Sequence, residues 1–186
     1  MLFGETHFLG VTGRSRGPSL AIHSNMMVRT FEERDVAPAC ALTNTFIQQS
    51  HIHFGTKAAS PEEFRAMWLA GAAKFPWVAA EEDGRFAGYA KAGVWRDREA
   101  YNQTVEVGIY VEPWCQRKGA GRALYTELFT RLRQAGIHTV VAGIALPNEA
   151  SVAMHEACGF RHVGTFREVG RKFDRWWDVG FWQVGL

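Results

Sequence analysis

Two residues carry chemistry that their surroundings do not explain. Glu106 stands in "TVEVGIYV", whose β-branched and apolar content reads as a strand. Side chains alternate along a strand, so Val105, Val107, Ile109 and Val111 face one way while Glu106, Gly108 and Tyr110 face the other. A carboxylate there is either a solvent-facing group on a half-exposed strand or a group kept for proton transfer, its pKa raised toward neutrality by desolvation. His155, in "SVAMHEACGF", falls one helical turn after Ser151 and is either a structural histidine or a second proton carrier.

The same strand runs into a basic, glycine-rich turn and then a helix, "CQRKGAGRALYTEL". A nucleoside-triphosphate loop needs Lys-Ser or Lys-Thr after its second glycine, and none follows Gly121. A dinucleotide fingerprint needs a third glycine where Leu124 stands. What remains is Gln116-x-x-Gly119-x-Gly121 flanked by Arg117, Lys118 and Arg122. Glycines let backbone N–H groups approach an anion, and a helix N-terminus adds about half a positive charge, so a diphosphate fits. The plainer alternative is a turn that starts a helix beside solvated basic residues.

These residues need a frame. The 186 residues suffice for one well-buried domain. A hydrophobic fraction of 47% and a charged fraction of 22% are those of a globular chain, without a bilayer-spanning run. A formal charge of +2 offers nucleic acid no concentrated basic face. Cys40, Cys115 and Cys158 are odd in number and show no metal-binding spacing, which suits a reduced, cytoplasmic setting without metal. Residues 1–25 read as a poorly ordered extension or an upstream start, and 26–186 as a single domain.

Elements follow from local signals. A strand over Met26 to Phe31 precedes a helix with Asp35 at its N-cap, running to about Gln49; "SPEEF" opens the next helix as a capping box from Ser60 to Glu63. Pro76 to Glu82 and Arg85 to Trp95 form a hairpin about Asp83-Gly84. After the loop "WRDREAYNQ" come the Glu106 strand, a helix from about Ala120 to Gln134, the strand "HTVVAGIAL", and a short helix capped by Asn148 and stopped by Gly159. Strands near Phe160 to Phe166 and Trp177 to Val184 finish an α/β (α+β) order of β-α-α-β-β-β-α-β-α-β-β, a mixed sheet flanked by helices.

The strand, the Q-x-x-G-x-G turn and the following helix resemble the coenzyme A site of the GNAT acetyltransferase superfamily. "TVEVGIYV", "CQRKGAGRALYTEL", "LPNEASVAMHEACGF" and "GRKFDRWWDVGFWQ" are closer still to the phosphinothricin N-acetyltransferase family, over about Val28 to Gln183. The resemblance implies a GNAT fold, with a mostly antiparallel sheet, and acetyl-CoA as cosubstrate. It places the pantetheine arm along the backbone of Ile109, Tyr110 and Val111, the pyrophosphate on Arg117, Lys118, Gly119, Ala120, Gly121 and Arg122, and Asn148 near the thioester. Asn148 is also an N-cap, and the two roles compete for its side chain.

An ammonium has no lone pair to attack a thioester, and an α-amino group of pKa about 8 is only about one-tenth neutral at pH 7, so a base must be in reach. The resemblance implies Glu106 for that role, paired with His155, and Tyr125 as a group that can protonate the departing thiolate; Tyr125 is equally a core aromatic on an amphipathic helix. It implies an acceptor-binding loop of Arg96, Arg98 and Tyr101, suited to carboxylate or phosphinate groups, with Phe54 nearby. Gly55 stands where phosphinothricin-specific enzymes carry an arginine, which argues against strict specificity. The expected reaction is acetylation of the α-amino group of phosphinothricin, methionine sulfoximine, methionine sulfone or a similar small amino acid by a homodimer. The alternatives are a GNAT enzyme for another amine (peptide N-terminus, polyamine or aminoglycoside) and a coenzyme A-binding module without turnover.

Overall fold

A computed structural model of the chain describes residues 26–186, and the expectation for residues 1–25 lies outside the described residues. Strands β1 (Met26–Thr30), β2 (Trp77–Glu82), β3 (Arg85–Val94), β4 (Thr104–Val111), β5 (Thr139–Leu146), β6 (Arg161–Lys172) and β7 (Arg175–Gly185) form a sheet of order β1-β2-β3-β4-β5-β7-β6. Helices α1 (Val36–Gln49), α2 (Pro61–Ala72), α3 (Ala120–Gln134) and α4 (Glu149–Ala157) interrupt the strands in the expected order. All neighbouring strands are antiparallel except β4 and β5.

Alternation decides what each face of the sheet buries. Val105 and Val107 join Val78, Ala90, Ala92 and Val140 beneath α3, whose stripe of Ala120, Leu124, Leu128 and Leu132 recurs every four residues and turns inward. On the opposite face Trp77, Ala79 and Tyr89 pack against Val36, Ala39 and Cys40 of α1 and Phe64 of α2, and Tyr110 borders that cluster. Glu106 shares the Tyr110 face, as the alternation requires.

Local signals were accurate where the chemistry is local. Ser60 accepts the Glu63 N–H at 3.1 Å while the Glu63 carboxylate accepts the Ser60 N–H at 2.7 Å, closing the capping box. Asp83 and Gly84 take φ of 53° and 78° in the hairpin turn. Two expectations need correction. Asp35 precedes α1 but makes no side-chain cap; it holds Arg29 with two bonds of 2.6 and 2.8 Å, and Arg29 also binds Glu81. A bidentate, nearly buried ion pair outcompetes a single N–H acceptor bond. The last hairpin is also longer than expected: β6 reaches Lys172 through an irregularity between Phe166 and Gly170, because pairing with β7 resumes beyond a polar stretch that reads as loop.

Candidate active site

β4 and β5 are hydrogen-bonded in parallel only where Thr104–Glu106 face Thr139–Val141. Beyond Glu106 each strand keeps its outer partner, β3 for one and β7 for the other, while the inner edges diverge. The result is a wedge lined by Val107, Gly108, Ile109 and Tyr110 on one side and Gly143, Ile144 and Ala145 on the other. Ile52, Asn148, Ser151 and His155 close it. An unpaired strand edge inside a cleft offers N–H and C=O groups to any extended ligand that can pair with them.

The N-terminus of α3 lies at this wedge. Its first intrahelical bond joins the Ala123 N–H to the Gly119 carbonyl, so the N–H groups of Ala120, Gly121 and Arg122 lie ahead of the helical ladder. Gly119 has φ of 92° and a Cβ there would meet nothing within 4 Å, so the surface above it is open. At Gly121 a Cβ would lie 3.4 Å from Met154 and 3.7 Å from Ile109, which shows how closely the helix start approaches α4 and β4. Arg117, at φ of 62°, adopts a left-handed conformation that costs a non-glycine residue about 1 kcal/mol. Arg117 and Arg122 are exposed, whereas Lys118 pairs with Glu82 at 3.3 Å and lies over the Trp114 ring. Asn148 divides its side chain: Oδ1 accepts the Ser151 N–H at 3.2 Å as an N-cap, and the amide nitrogen keeps its donors for the wedge.

Glu106 points its carboxylate toward Gly143, where a Cβ would lie 3.3 Å from Oε1. Burial pushes its pKa up, against the opposing pull of the Arg96 and Lys91 cations. His155 is buried, at 3% exposure, and burial lowers its pKa although its bond to the Ser151 carbonyl acts the other way. Nδ1 lies 2.8 Å from that carbonyl, which can only accept, so Nδ1 carries the proton and Nε2 presents a lone pair. The Tyr125 hydroxyl, 2.8 Å away, therefore donates to Nε2. The direct partners of His155 are Tyr125 and Ser151, and the expected pairing with Glu106 is not among its contacts. Tyr125 is at once a core aromatic, stacked on Phe129, and a polar group, its pKa raised well above the ordinary phenol by burial.

On the Glu106 face, Arg96 lies over the Trp95 ring at 4.2 Å and close enough to act on Glu106. Arg98 and Tyr101 remain exposed on the intervening loop, Tyr101 in a 3-10 turn spanning Glu99–Tyr101. Phe54 covers Gly170, where a Cβ would lie 2.5 Å from its ring. At Gly55 a Cβ would lie 2.8 Å from the His53 imidazole, whose Nδ1 accepts the Gly55 N–H. A side chain at this position, where the resemblance leads one to expect arginine, would have to displace the His53 imidazole from its bond to the Gly55 N–H.

Sequence reasoning missed what holds the loop that carries Phe54. Lys172, buried in the last hairpin, donates its three N–H bonds to the carbonyls of Ile47, Ser50 and His53 at 2.6, 2.8 and 2.6 Å, a cation closing the C-terminal end of α1. His51 donates to the Pro147 carbonyl at 3.0 Å and stacks on Trp177. Among so many charges in "GRKFDRWWD" no local signal singles out Lys172.

The acetyltransferase (GNAT) family model matches residues 43–160. The chain is 41% identical to phosphinothricin N-acetyltransferase of Streptomyces viridochromogenes, over 84% of this chain and 85% of that one. The chain belongs to the GNAT acetyltransferase family. Within this family it is also 41% identical to the L-methionine sulfoximine/L-methionine sulfone acetyltransferase of Salmonella typhimurium, over 60% of this chain and 66% of that protein. A GNAT superfamily phosphinothricin acetyltransferase from Sinorhizobium meliloti, solved in complex with AcCoA, superposes with a TM-score of 0.82 at 29% identity, covering 87% and 88% of the two chains. The GNAT fold of mixed α/β type, with its mostly antiparallel sheet, is therefore that of this chain. No described helix is long and apolar enough to cross a membrane, and no described cluster of His, Cys, Asp or Glu could hold a metal ion.

Proposed function

We propose that this GNAT acetyltransferase, taken as one domain over residues 26–186, transfers acetyl from acetyl-CoA to the α-amino group of a small amino acid such as phosphinothricin, methionine sulfoximine or methionine sulfone. The observation that carries the reading is the wedge between β4 and β5, with anion-binding backbone at its mouth and a half-buried carboxylate on the opposite face of β4. The free N–H groups ahead of Ala123 and the open surface over Gly119 fit a diphosphate held by residues 117–122, with Arg117 and Arg122 screening its charge. Lys118, tied to Glu82, serves that turn mainly by bracing it. The inner edge of β4 at Ile109, Tyr110 and Val111 pairs with the pantetheine amides, and the free amide of Asn148 donates near the thioester.

Glu106 takes the amine proton. Its raised pKa brings a carboxylate closer to the basicity that the task requires. A strand amide between Ile109 and Val111 stabilises the negative charge that develops on the carbonyl oxygen. Tyr125 is assigned the proton for the departing thiolate, a step in which its O–H turns from His155 Nε2 toward the wedge, with His155 held in place by the Ser151 carbonyl. The proton gained by Glu106 and the one lost by Tyr125 balance through solvent over a cycle. Arg96, Arg98 and Tyr101 receive the acceptor's distal acidic group, with Phe54 as an apolar wall.

Two further assignments belong to this reading. Phe166, Val169, Phe173 and Trp176 are exposed along the last hairpin, an apolar strip suited to a homodimer interface. The free thiols of Cys40, Cys115 and Cys158 suit a reducing cytoplasm, where acetyl-CoA is at hand. The deciding experiment measures thiol release from acetyl-CoA against phosphinothricin, methionine sulfoximine, methionine sulfone, common amino acids, a peptide N-terminus, spermidine and an aminoglycoside. Turnover concentrated on the small amino acids is expected, and preference for the cationic amines would overturn the proposed acceptor class.

A further inference from the structure

One cation on the Glu106 face remains unassigned. Lys91 lies mid-strand in "FAGYAKAGV" and is paired across β3 and β4 with Gly108, while Gly93 faces Glu106. Lys91 and Glu106 are therefore diagonal neighbours on one face, at positions about 7–8 Å apart. The Lys91 stem runs over Gly108, where a Cβ would meet its Cε at 3.7 Å, and its ammonium lies 4.8 Å from the centre of the Trp77 ring. Among the described residues its side-chain polar contact is the Met67 sulfur at 3.9 Å, a weak acceptor. No described carboxylate lies within ion-pair distance of it; Glu106 acts on it only from farther off. Buried cations are ordinarily paired or hydrogen-bonded, because removing a charge from water is costly. This one is half-buried yet keeps donors to spare, on the same sheet face as the group assigned as the base.

We propose that Lys91 binds the α-carboxylate of the acceptor and so makes the enzyme selective for amino acids over simple amines. The inference rests on the acceptor class proposed above. An α-amino acid carries amine and carboxylate on one carbon. If the amine reaches Glu106 through a hydrogen bond of about 3 Å, the carboxylate necessarily lies a short step away, within reach of a neighbouring donor. The diagonal across β3 and β4 sets the two side chains on neighbouring positions of one face, a gap that an amino acid bound between their end groups can bridge, and both strands are rigid sheet elements rather than loop. Arg96, on the loop and spread over Trp95, is left for whatever acidic group the acceptor side chain bears. Trp77 and the exposed Met67 flank the ammonium with a ring face and a thioether, neither of which competes with a carboxylate as an acceptor.

The test compares methionine sulfone with its α-carboxamide, which keeps the amine and side chain but loses the negative charge. With wild-type protein and Lys91→Met and Lys91→Arg variants, both thiol release and calorimetric binding in the presence of coenzyme A are measured. Wild type is expected to prefer the acid; Lys91→Met should lose about tenfold or more in affinity for the acid, as for a lost charge-assisted bond, with the amide unchanged. Lys91→Arg should keep part of the preference. Lys91→Met removes a half-buried charge and should melt no lower than wild type, which separates loss of binding from loss of fold. An acid-to-amide ratio unaltered in Lys91→Met overturns the inference, as does failure of wild type to bind either compound. Binding without turnover on any acceptor would instead sink the acetyltransferase reading and leave the binding ratio to judge Lys91.

Discussion

Replacing Glu106 by Gln probes the centre of the proposed chemistry with almost no change in shape. The side chain contacts the space over Gly143, where the amide of Gln has room because the carboxylate already fits. The substitution removes the proposed acceptor of the amine proton. With it goes a charge whose desolvation raises its pKa and so opposes folding above the usual carboxylate range. A positioned base is worth about 10²- to 10⁴-fold, and we expect a loss of about two orders of magnitude in kcat at pH 7 with acetyl-CoA affinity unchanged. The pH profile is the sharper readout. Wild-type activity should rise as Glu106 ionises, through a pKa above 4.5, and then flatten. The variant depends on amine that is already neutral, about one-tenth of the total at pH 7 for a pKa of about 8, so its rate should climb by up to about tenfold toward higher pH. The linkage has the matching sign. A carboxyl whose folded pKa is raised holds its proton longer when folded, so stability falls as pH rises through that window, and Glu106→Gln should abolish this decline. Thiol release between pH 5 and 9, with thermal melting at the same pH values, measures both. Equal turnover of variant and wild type across that range would refute the assignment.

Tyr125→Phe removes the donor to His155 Nε2 and leaves a buried lone pair unsatisfied, at a cost of about 1–3 kcal/mol. In a chain of this size melting should fall by roughly 2–4 °C per kcal/mol, and thiolate departure should slow more than acetyl-CoA binding weakens. Lys172→Met strands three carbonyls at the end of α1 and in the His51–Gly55 loop. We expect a loss of about 3 kcal/mol in denaturant melting, together with a higher KM for the acceptor and a smaller rise in KM for acetyl-CoA, because the loop borders the Glu106 face and gives the wedge only Ile52.

Much of this molecule was legible in order along the chain. The capping box at Ser60, the Asp83-Gly84 turn, the glycine stop at Gly136 and the amphipathic stripe of α3 each depend on residues within a turn or two of one another. Periodicity placed Glu106 opposite the valines for the same reason: the pleat is a local property of the backbone. A lone charge in an apolar strand was the signal at Glu106, and the same signal stood at Lys91, where its meaning depends on β4 lying alongside.

Long-range geometry decided the rest. Whether Asp35 caps a helix or binds Arg29 depends on β1 and β2 arriving beside it. His155 faces Tyr125 because α3 and α4 pack on one side of the sheet, and local spacing could not choose that partner over Glu106. Lys172 finds its carbonyl cage more than a hundred residues upstream. The wedge itself exists only because β4 and β5 stop pairing after three residues, each held by a different outer strand. Sequence alone determined which groups were available, since turns, caps and alternation are set by near neighbours. Which of those groups meet, and how much water remains around them, was determined by tertiary packing, because burial and charge pairing arise from segments far apart along the chain.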